Sequence, residues 1–555
     1  MLRRIRITVA IIITFLITLY CLDFSGLVPH EFFAFSQWQF FPALIASHDG
    51  VWIIVVVLIA VTFLYGRIYC SILCPLGVFQ DVAIWLSRRK IFIPKNPEKR
   101  RKWRQRHSYR KPKTWLRWAV LVLSIVSVIC GATFVLSLIE PYSAYSRIVT
   151  HLFRPAYLFG NNLLSSIFGA FGIHTFYRME IYASSIFSLL ISIITFLAIS
   201  FIAWKYGRTF CNTICPVGTL LGASSRLSLF KMRINLDKCS HCGACGRQCK
   251  ANCIDTKAGK IDYSRCVNCF DCTGHCSTKA ISFSPPKLSK LPKLPKLPKL
   301  PKLPKLPKLP KLPKLPKLPK LPKLPNLSRR NEKQPDEDRR KIIATALVLP
   351  LLSPDKLWAK ATGTTLSDKE RLTPISPPGS LAHEHLLKNC TACHLCINKC
   401  PSRVLKPAFT EYGMGGMMQP IMDFKKGFCN YDCTICSEVC PTDALLPLTV
   451  EQKHLTQVGK VVFRRERCVV FRNETSCGAC SEHCPTQAVA MVDYKDGLTI
   501  PEVNTDLCVG CGGCEHICPV RPHRAIYVEG NPVHQKATPV KEEATSQETI
   551  DDFGF

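Results

Sequence analysis

Negative charge is scarce in this sequence: 39 Asp and Glu face 73 Lys and Arg among 555 residues, a formal net charge of +34. An excess of that size raises the question of a nucleic-acid partner. Its distribution argues against one. Fourteen Lys or Arg crowd between Arg88 and Arg117, flanked by apolar runs, and twelve Lys sit in a Lys-Leu-Pro repeat. A Gly-rich dinucleotide fingerprint after a strand is also missing, which argues against direct use of NADH. No catalytic constellation stands outside the cysteines. The first apolar run, Ile7–Leu27, follows Arg3, Arg4 and Arg6 as a leader would, yet lacks a small-residue cleavage site. It is expected to stay as an anchor.

Cysteine is what the chain has in excess, with 31 residues, sixteen of them in four C-terminal quartets. These are Cys390, Cys393, Cys396, Cys400; Cys429, Cys433, Cys436, Cys440; Cys468, Cys477, Cys480, Cys484; and Cys508, Cys511, Cys514, Cys518. Each ends C-x2-C-x3-C-P. Three close thiolates hold three irons of a [4Fe–4S] cubane, and the cysteine after x3 reaches a neighbouring cluster. Zinc closes on two C-x-x-C pairs and has no use for the third cysteine. Disulfide frameworks belong to short secreted chains. Cys390-Thr391-Ala392-Cys393-His394 also matches a c-type haem attachment pattern. Haem there would orphan Cys396 and Cys400, so His394 is expected to be a loop residue beside the cluster. Cys239, Cys242, Cys245, Cys249 and Cys266, Cys269, Cys272, Cys276 repeat the two-cluster ferredoxin spacing. Cross-ligation then gives Cys276 to the first cluster and Cys249 to the second. Lys250 and Ser277 replace the usual prolines, and Cys253 is an extra thiol. Six clusters at about −2 each would offset on the order of 12 positive charges.

Four apolar runs, Ile7–Leu27, Val51–Tyr65, Trp115–Ile139 and Ile181–Trp204, each extend to about the 20 residues a membrane span needs. The Arg88–Arg117 cluster puts that loop and both ends of the four-helix unit in the cytoplasm. The segment Tyr157–Phe176 reads as an outer-face amphipathic or re-entrant piece. Two spans are followed by one repeated motif: Gly66-Arg67-Ile68-Tyr69-Cys70-Ser71-Ile72-Leu73-Cys74-Pro75 and Gly207-Arg208-Thr209-Phe210-Cys211-Asn212-Thr213-Ile214-Cys215-Pro216. Cysteines four apart share a helix face. Cys70, Cys74, Cys211 and Cys215 therefore form a candidate redox or metal tetrad, against close packing at helix ends. Arg67 and Arg208 meet lipid headgroups or a quinone head. Cys21 and Cys130 read as small core residues.

The Lys-Leu-Pro repeat runs twelve times from Lys290 to Pro325. Proline every third residue favours polyproline II, an extended spacer. Arg339-Arg340 before the apolar Ile342–Leu352 run resembles a twin-arginine export signal, with Ala359-Lys360-Ala361 as a cleavage site. The expected architecture is an α-helical membrane domain of four spans (1–230) followed by α+β ferredoxin-like domains. These are a two-[4Fe–4S] unit (231–284), the repeat linker (285–335), the signal or a fifth anchor (336–361), a four-[4Fe–4S] unit (382–530) and a disordered tail (531–555).

The paired Gly-Arg-x-Tyr/Phe-Cys-x3-Cys-Pro motifs and the ferredoxin after the fourth span resemble the NapH-type membrane ferredoxin of periplasmic nitrate reductase systems. The export-like signal and the four quartets, including the wide Cys468–Cys477 gap, resemble the exported NapG/MauM-type ferredoxin. The chain looks like a fusion of the two. The resemblance implies a multi-pass protein of the bacterial inner membrane, with the two-cluster domain cytoplasmic and the four-cluster domain periplasmic. It implies quinol oxidation and electron delivery to a periplasmic reductase or multihaem cytochrome, with lipid and quinone as partners and no nucleic acid. A quinol site is expected at the tetrad rim. The alternative is a redox-dependent assembly or regulatory factor for a metalloenzyme, which the four-cluster half does not favour.

Overall fold

The computed structural model describes residues 1–23, 28–46, 50–129, 133–172, 176–181, 185–285 and 371–539. Cys130, the Lys-Leu-Pro repeat, the twin-arginine-like stretch and the last sixteen residues lie outside the described residues. So the linker and signal expectations are not addressed by the structure.

Two apolar runs form helices long and apolar enough to cross a membrane, α1 (Leu2–Leu22) and the Ile186–Tyr206 helix, 21 residues each. Val51–Tyr65 (α2, 15 residues) and Thr114–Ile129 (α3, 16 residues) are shorter apolar helices. The Ile186–Tyr206 helix is α4. Among the described residues two helices therefore reach the length expected of a span; Thr114–Ile129 stops at residues 130–132, which lie outside the described ones, and helix is present again at Thr133–Ile139. α2 is cut short because Gly50 and Gly66 flank it with φ of 94° and 71°, a backbone that does not continue a helix. α4 ends the same way at Gly207, φ 69°.

Gly66 and Gly207 open the two copies of the repeated motif, and both lie against the two-cluster domain. A side chain on Gly66 would strike Asn268, and one on Gly207 the Lys250 carbonyl. Asn268 and Asn252 donate to the last carbonyls of α2 and α4, Tyr65 O and Tyr206 O. In each motif the chain then makes one short helical turn. Cys74 and Cys215 next start the Pro75–Ser87 and Pro216–Ser224 helices, each with proline at its first position, where the missing N–H costs nothing.

Asp81 is the buried hub of this end. Its carboxylate takes Arg6 at 2.9 Å, Arg208 at 2.8 Å and Lys250 at 3.4 Å. Lys250 continues to Asp271 at 3.0 Å, which also holds Arg3 at 2.7 Å. This explains the missing proline after Cys249: the position carries a cation that ties the ferredoxin to the bundle. The two-cluster domain itself pairs Lys231–Ile234 with Ile281–Ser284 and Ile254–Asp255 with Lys260–Ile261, both antiparallel.

In the C-terminal domain, residues on both sides of the expected 382–530 unit pack with it: Arg371 pairs with Glu515 and Ile375 is buried. Its strand Thr456–Phe463 pairs antiparallel with Ile526–Lys536, and Val489–Lys495 pairs with Leu498–Val503. The first six residues assigned to a tail thus complete a strand. In the stretch Met414–Met422, Met418 and Met422 are buried and Met414 is exposed.

The domain sits on the far end of α1 from the two-cluster ferredoxin. Asn398 donates to Cys21 O, and Lys399 pairs with Asp23 at 2.9 Å. Thr133, Arg147, His151 and Arg154 also bond it, through Leu387 O, Ala392 O, His394 and Asn398. Twenty-one helical residues rise roughly 31 Å, the thickness of a hydrocarbon core.

Burial works against charge on Asp81, but Arg208, Lys250 and Arg6 hold its carboxyl well below the usual carboxylate range. Replacing it leaves buried cations uncompensated. Asp81→Asn should lower stability by about 3–5 kcal/mol at pH 7, read as the thermal midpoint in detergent. Because the folded pKa is depressed, this advantage exists above the unfolded value, about 4, and shrinks as pH falls below it.

Candidate iron–sulfur centres and the thiol tetrad

Each strict C-x2-C-x2-C loop curls by the same backbone device. The third and fifth residues of the loop take positive φ: His241 and Gly243, Asn268 and Phe270, Ala392 and His394, Gly510 and Gly512. Alternating handedness turns successive N–H groups to one concave side, the nest that receives anionic iron–sulfur groups. For non-glycine residues this conformation carries a cost of order 1–3 kcal/mol each. The second and third C-terminal quartets, whose first gap is longer, lack the pattern among the described residues.

The cysteines close into cages that exchange their fourth members. One cavity is lined by Cys239, Cys242, Cys245 and Cys276. A second is lined by Cys429, Cys433, Cys436 and Cys400, and a third by Cys468, Cys477, Cys480 and Cys518. Cys440 lies against the first quartet: burial, then Cys440, pushes the Cys390 thiol up to about 12. Cys484 stands likewise against Cys508, Cys511 and Cys514. Exchange therefore runs between neighbours in sequence, first with second and third with fourth, which spacing alone left open. Among the described residues no group of three His, Cys, Asp or Glu is placed to hold a single ion. A four-iron cube stands between its thiolates and keeps them further apart than one ion does. The cages therefore fit [4Fe–4S] clusters, which supply one-electron transfer when bound.

The cage of Cys266, Cys269 and Cys272 takes Cys249 as its fourth member, as the cross-ligation rule expects. Cys253 Sγ lies 3.5 Å from Cys249 Sγ, so two thiols stand at that corner.

The structure brings Cys70, Cys74, Cys211 and Cys215 together, all buried. Burial, then the neighbouring Cys211, Cys74 and Cys70, drives the Cys215 thiol well up. Three of the sulfurs accept N–H donors: Cys70 from Arg67 at 3.7 Å, Cys211 from Gln80 at 3.2 Å and Cys215 from Gly218 at 3.4 Å. Arg67 and Arg208 are fully buried, so neither meets lipid headgroups. Arg208 has Asp81; among the described residues Arg67 has no carboxylate. Side chains on Gly77 or Gly218 would collide with the carbonyls of Cys70 and Cys211. The rim expected to hold quinol is thus filled by protein.

His394 is not an ordinary loop residue. Its Nδ1 lies 2.8 Å from His151 Nε2 and its Nε2 2.9 Å from Met418 O. The Nε2–H donates to the carbonyl, so Nδ1 accepts from His151. Both nitrogens are engaged, which leaves none for haem iron. His151, Arg147 and Arg154, absent from the sequence-derived site, carry no motif; only tertiary packing reveals them.

Comparison with known proteins agrees with the cages. A family model described as a 4Fe-4S binding domain matches residues 50–94 and 186–235, which contain the tetrad and none of the quartets. A 4Fe-4S dicluster domain matches 475–521, which holds the fourth quartet and three of the four cysteines of the third. The Escherichia coli ferredoxin-type protein NapF is 30% identical over 158 residues, covering 28% of this chain and 87% of that protein. The methylamine utilization ferredoxin-type protein MauM of Methylobacillus flagellatus is 31% identical over 151 residues, 26% and 64% respectively. The putative electron transport protein YccM of Escherichia coli is 24% identical over 251 residues, 44% and 58%. No solved structure matches.

Fourth-ligand exchange is open to a double-substitution test. Cys440→Ser added to Cys393→Ser should cost no further iron, because both act on one cage. Added to Cys433→Ser it should roughly double the loss, since independent sites add. Iron per chain and the electron paramagnetic resonance of the reduced protein read the outcome.

Proposed function

This chain belongs to the ferredoxin-type iron–sulfur proteins and transfers electrons between clusters, and from that premise we propose that it draws them from a membrane quinol and passes them to a periplasmic reductase or multihaem cytochrome. The observation that carries the reading is the gripping of α1 at both ends. Arg3 and Arg6 meet Asp271 and Asp81 on the two-cluster side, while Cys21 O and Asp23 meet Asn398 and Lys399 of the four-cluster domain. A helix of membrane-spanning length therefore separates two sets of cluster cages.

The basic loop supports the orientation. Arg88 bonds Gln248, Arg265 donates to Arg110 O, and Arg117 donates to Ser264. Positive residues collect on the cytoplasmic side, so the two-cluster domain is cytoplasmic and the four-cluster domain periplasmic, with α2 and α3 completing a four-span bundle. Six [4Fe–4S] clusters fill the six cages. The tetrad adds a thiol centre for redox chemistry, because four buried sulfurs stand together with Arg67 donating to Cys70. The names NapF, MauM and YccM belong to ferredoxin-type and electron-transport proteins, in keeping with this role.

Menaquinol given to the purified, cluster-loaded protein should bleach the cluster absorbance. Protein that no quinol reduces would belong instead to the assembly-factor class. External protease on intact spheroplasts should digest the C-terminal domain and spare the two-cluster domain; the opposite pattern reverses the topology.

A further inference from the structure

A cavity of about 240 Å³ lies where the four-cluster domain meets the bundle, at the opposite end from the tetrad. Its floor is the π-helical turn Val149–Phe153 and the start of the helix that follows. Such turns add a residue to a helix and recur at functional sites. Here the turn lines the cavity with Thr150, His151 and Arg154. Leu158, Ile181 and Leu189 form an apolar wall, and Cys400, a member of the second-quartet cage, forms part of the roof.

Two polar atoms facing this region are unspent. Among the described residues, the Thr150 hydroxyl and Arg154 Nε are buried without a hydrogen-bond partner. Native proteins rarely leave such atoms unpaired, and each one asks for an explanation. The other cationic groups are committed: Arg154 Nη1 donates to Asn398 O at 2.6 Å, and Arg403 pairs with Glu180 at 3.0 Å. What is left is the Thr150 hydroxyl and the Nε–H of a guanidinium whose partners among the described residues are neutral oxygens, beside an apolar wall, at the level where α1 ends and α4 begins. A phosphate dianion would call for a second cation, and Arg403 is paired with Glu180. A flat ring carrying oxygen suits the site better.

We propose that this cavity binds the head of a lipid-soluble hydroquinone, with an oxygen on Thr150 and Arg154 Nε and the ring against Leu158 and Leu189. The proposal rests on the quinol reading above and moves its site from the tetrad rim to the outer interface. The volume is just under the roughly 300 Å³ at which ligand pockets begin. It takes a quinol head and leaves the prenyl tail along α4 in lipid. Glu180, whose side chain is 88% exposed, stands at the mouth toward water.

The full-length, cluster-loaded protein in detergent is illuminated with a photoreactive azidoquinone, and the labelled peptides are identified by mass spectrometry. Label is expected within 150–158 or 179–189. Leu158→Trp, which fills the cavity, should abolish it with iron content unchanged. Thr150→Val, nearly the same shape, should weaken quinone binding about three- to tenfold, the worth of one hydrogen bond. Label near Cys70 or Cys211, insensitive to both substitutions, overturns this site and leaves quinol as donor. Absence of label together with absence of cluster reduction by quinol overturns both. Displacement of the cavity label by excess phosphatidylglycerol makes it a phospholipid site and also overturns the proposal.

Discussion

The demand of an iron–sulfur cube on the backbone around it sets the terms for this protein. Three thiolates must converge within seven residues, and the N–H groups between them must face the sulfurs. The chain meets this by alternating handedness at positions such as His241 and Gly243 or Ala392 and His394. A side-chain-bearing residue does not hold that conformation unaided. Bonds to iron would offset that cost, which would couple folding to cluster insertion. The sheets are slight: each of the five among the described residues has two strands. Cage and cube, more than a hydrophobic core, give these domains their shape.

A second constraint joins the soluble parts to the bundle. Buried cations are costly without a partner, and at this end carboxylates meet four cations. Asp81 and Asp271 together answer Arg3, Arg6, Arg208 and Lys250. The two motif copies, one after α2 and one after α4, receive the two halves of the ferredoxin through Asn268 and Asn252. A repeat in the membrane half thus matches a repeat in the cluster half.

Much of this was legible in the sequence, because cluster ligation is local: three of each four cysteines lie within a dozen residues and their spacing is chemistry. Exchange of Cys400 with Cys440, and of Cys484 with Cys518, is a tertiary fact that spacing does not encode. The apolar run Val51–Tyr65 is α2 as it stands, but its extension to about twenty residues stops at Gly50 and Gly66. Lys250 registered only as a missing proline; its partners are 169 positions upstream and 21 downstream, at Asp81 and Asp271. His394 drew notice as part of a haem decoy, whereas its partner His151 has no motif at all.

The docking face for the four-cluster domain is a mosaic. Its pieces are the end of α1, Thr133 beyond α3, Arg147 to Arg154 from the turn that follows, and Phe187 at the start of α4, stacked edge-on with Phe409. No single helix presents enough of it to hold a partner. Seating of the domain therefore draws on α1, on residues 133–154 and on the start of α4 at once, so the four-cluster half is held by the bundle as assembled and by no one helix of it.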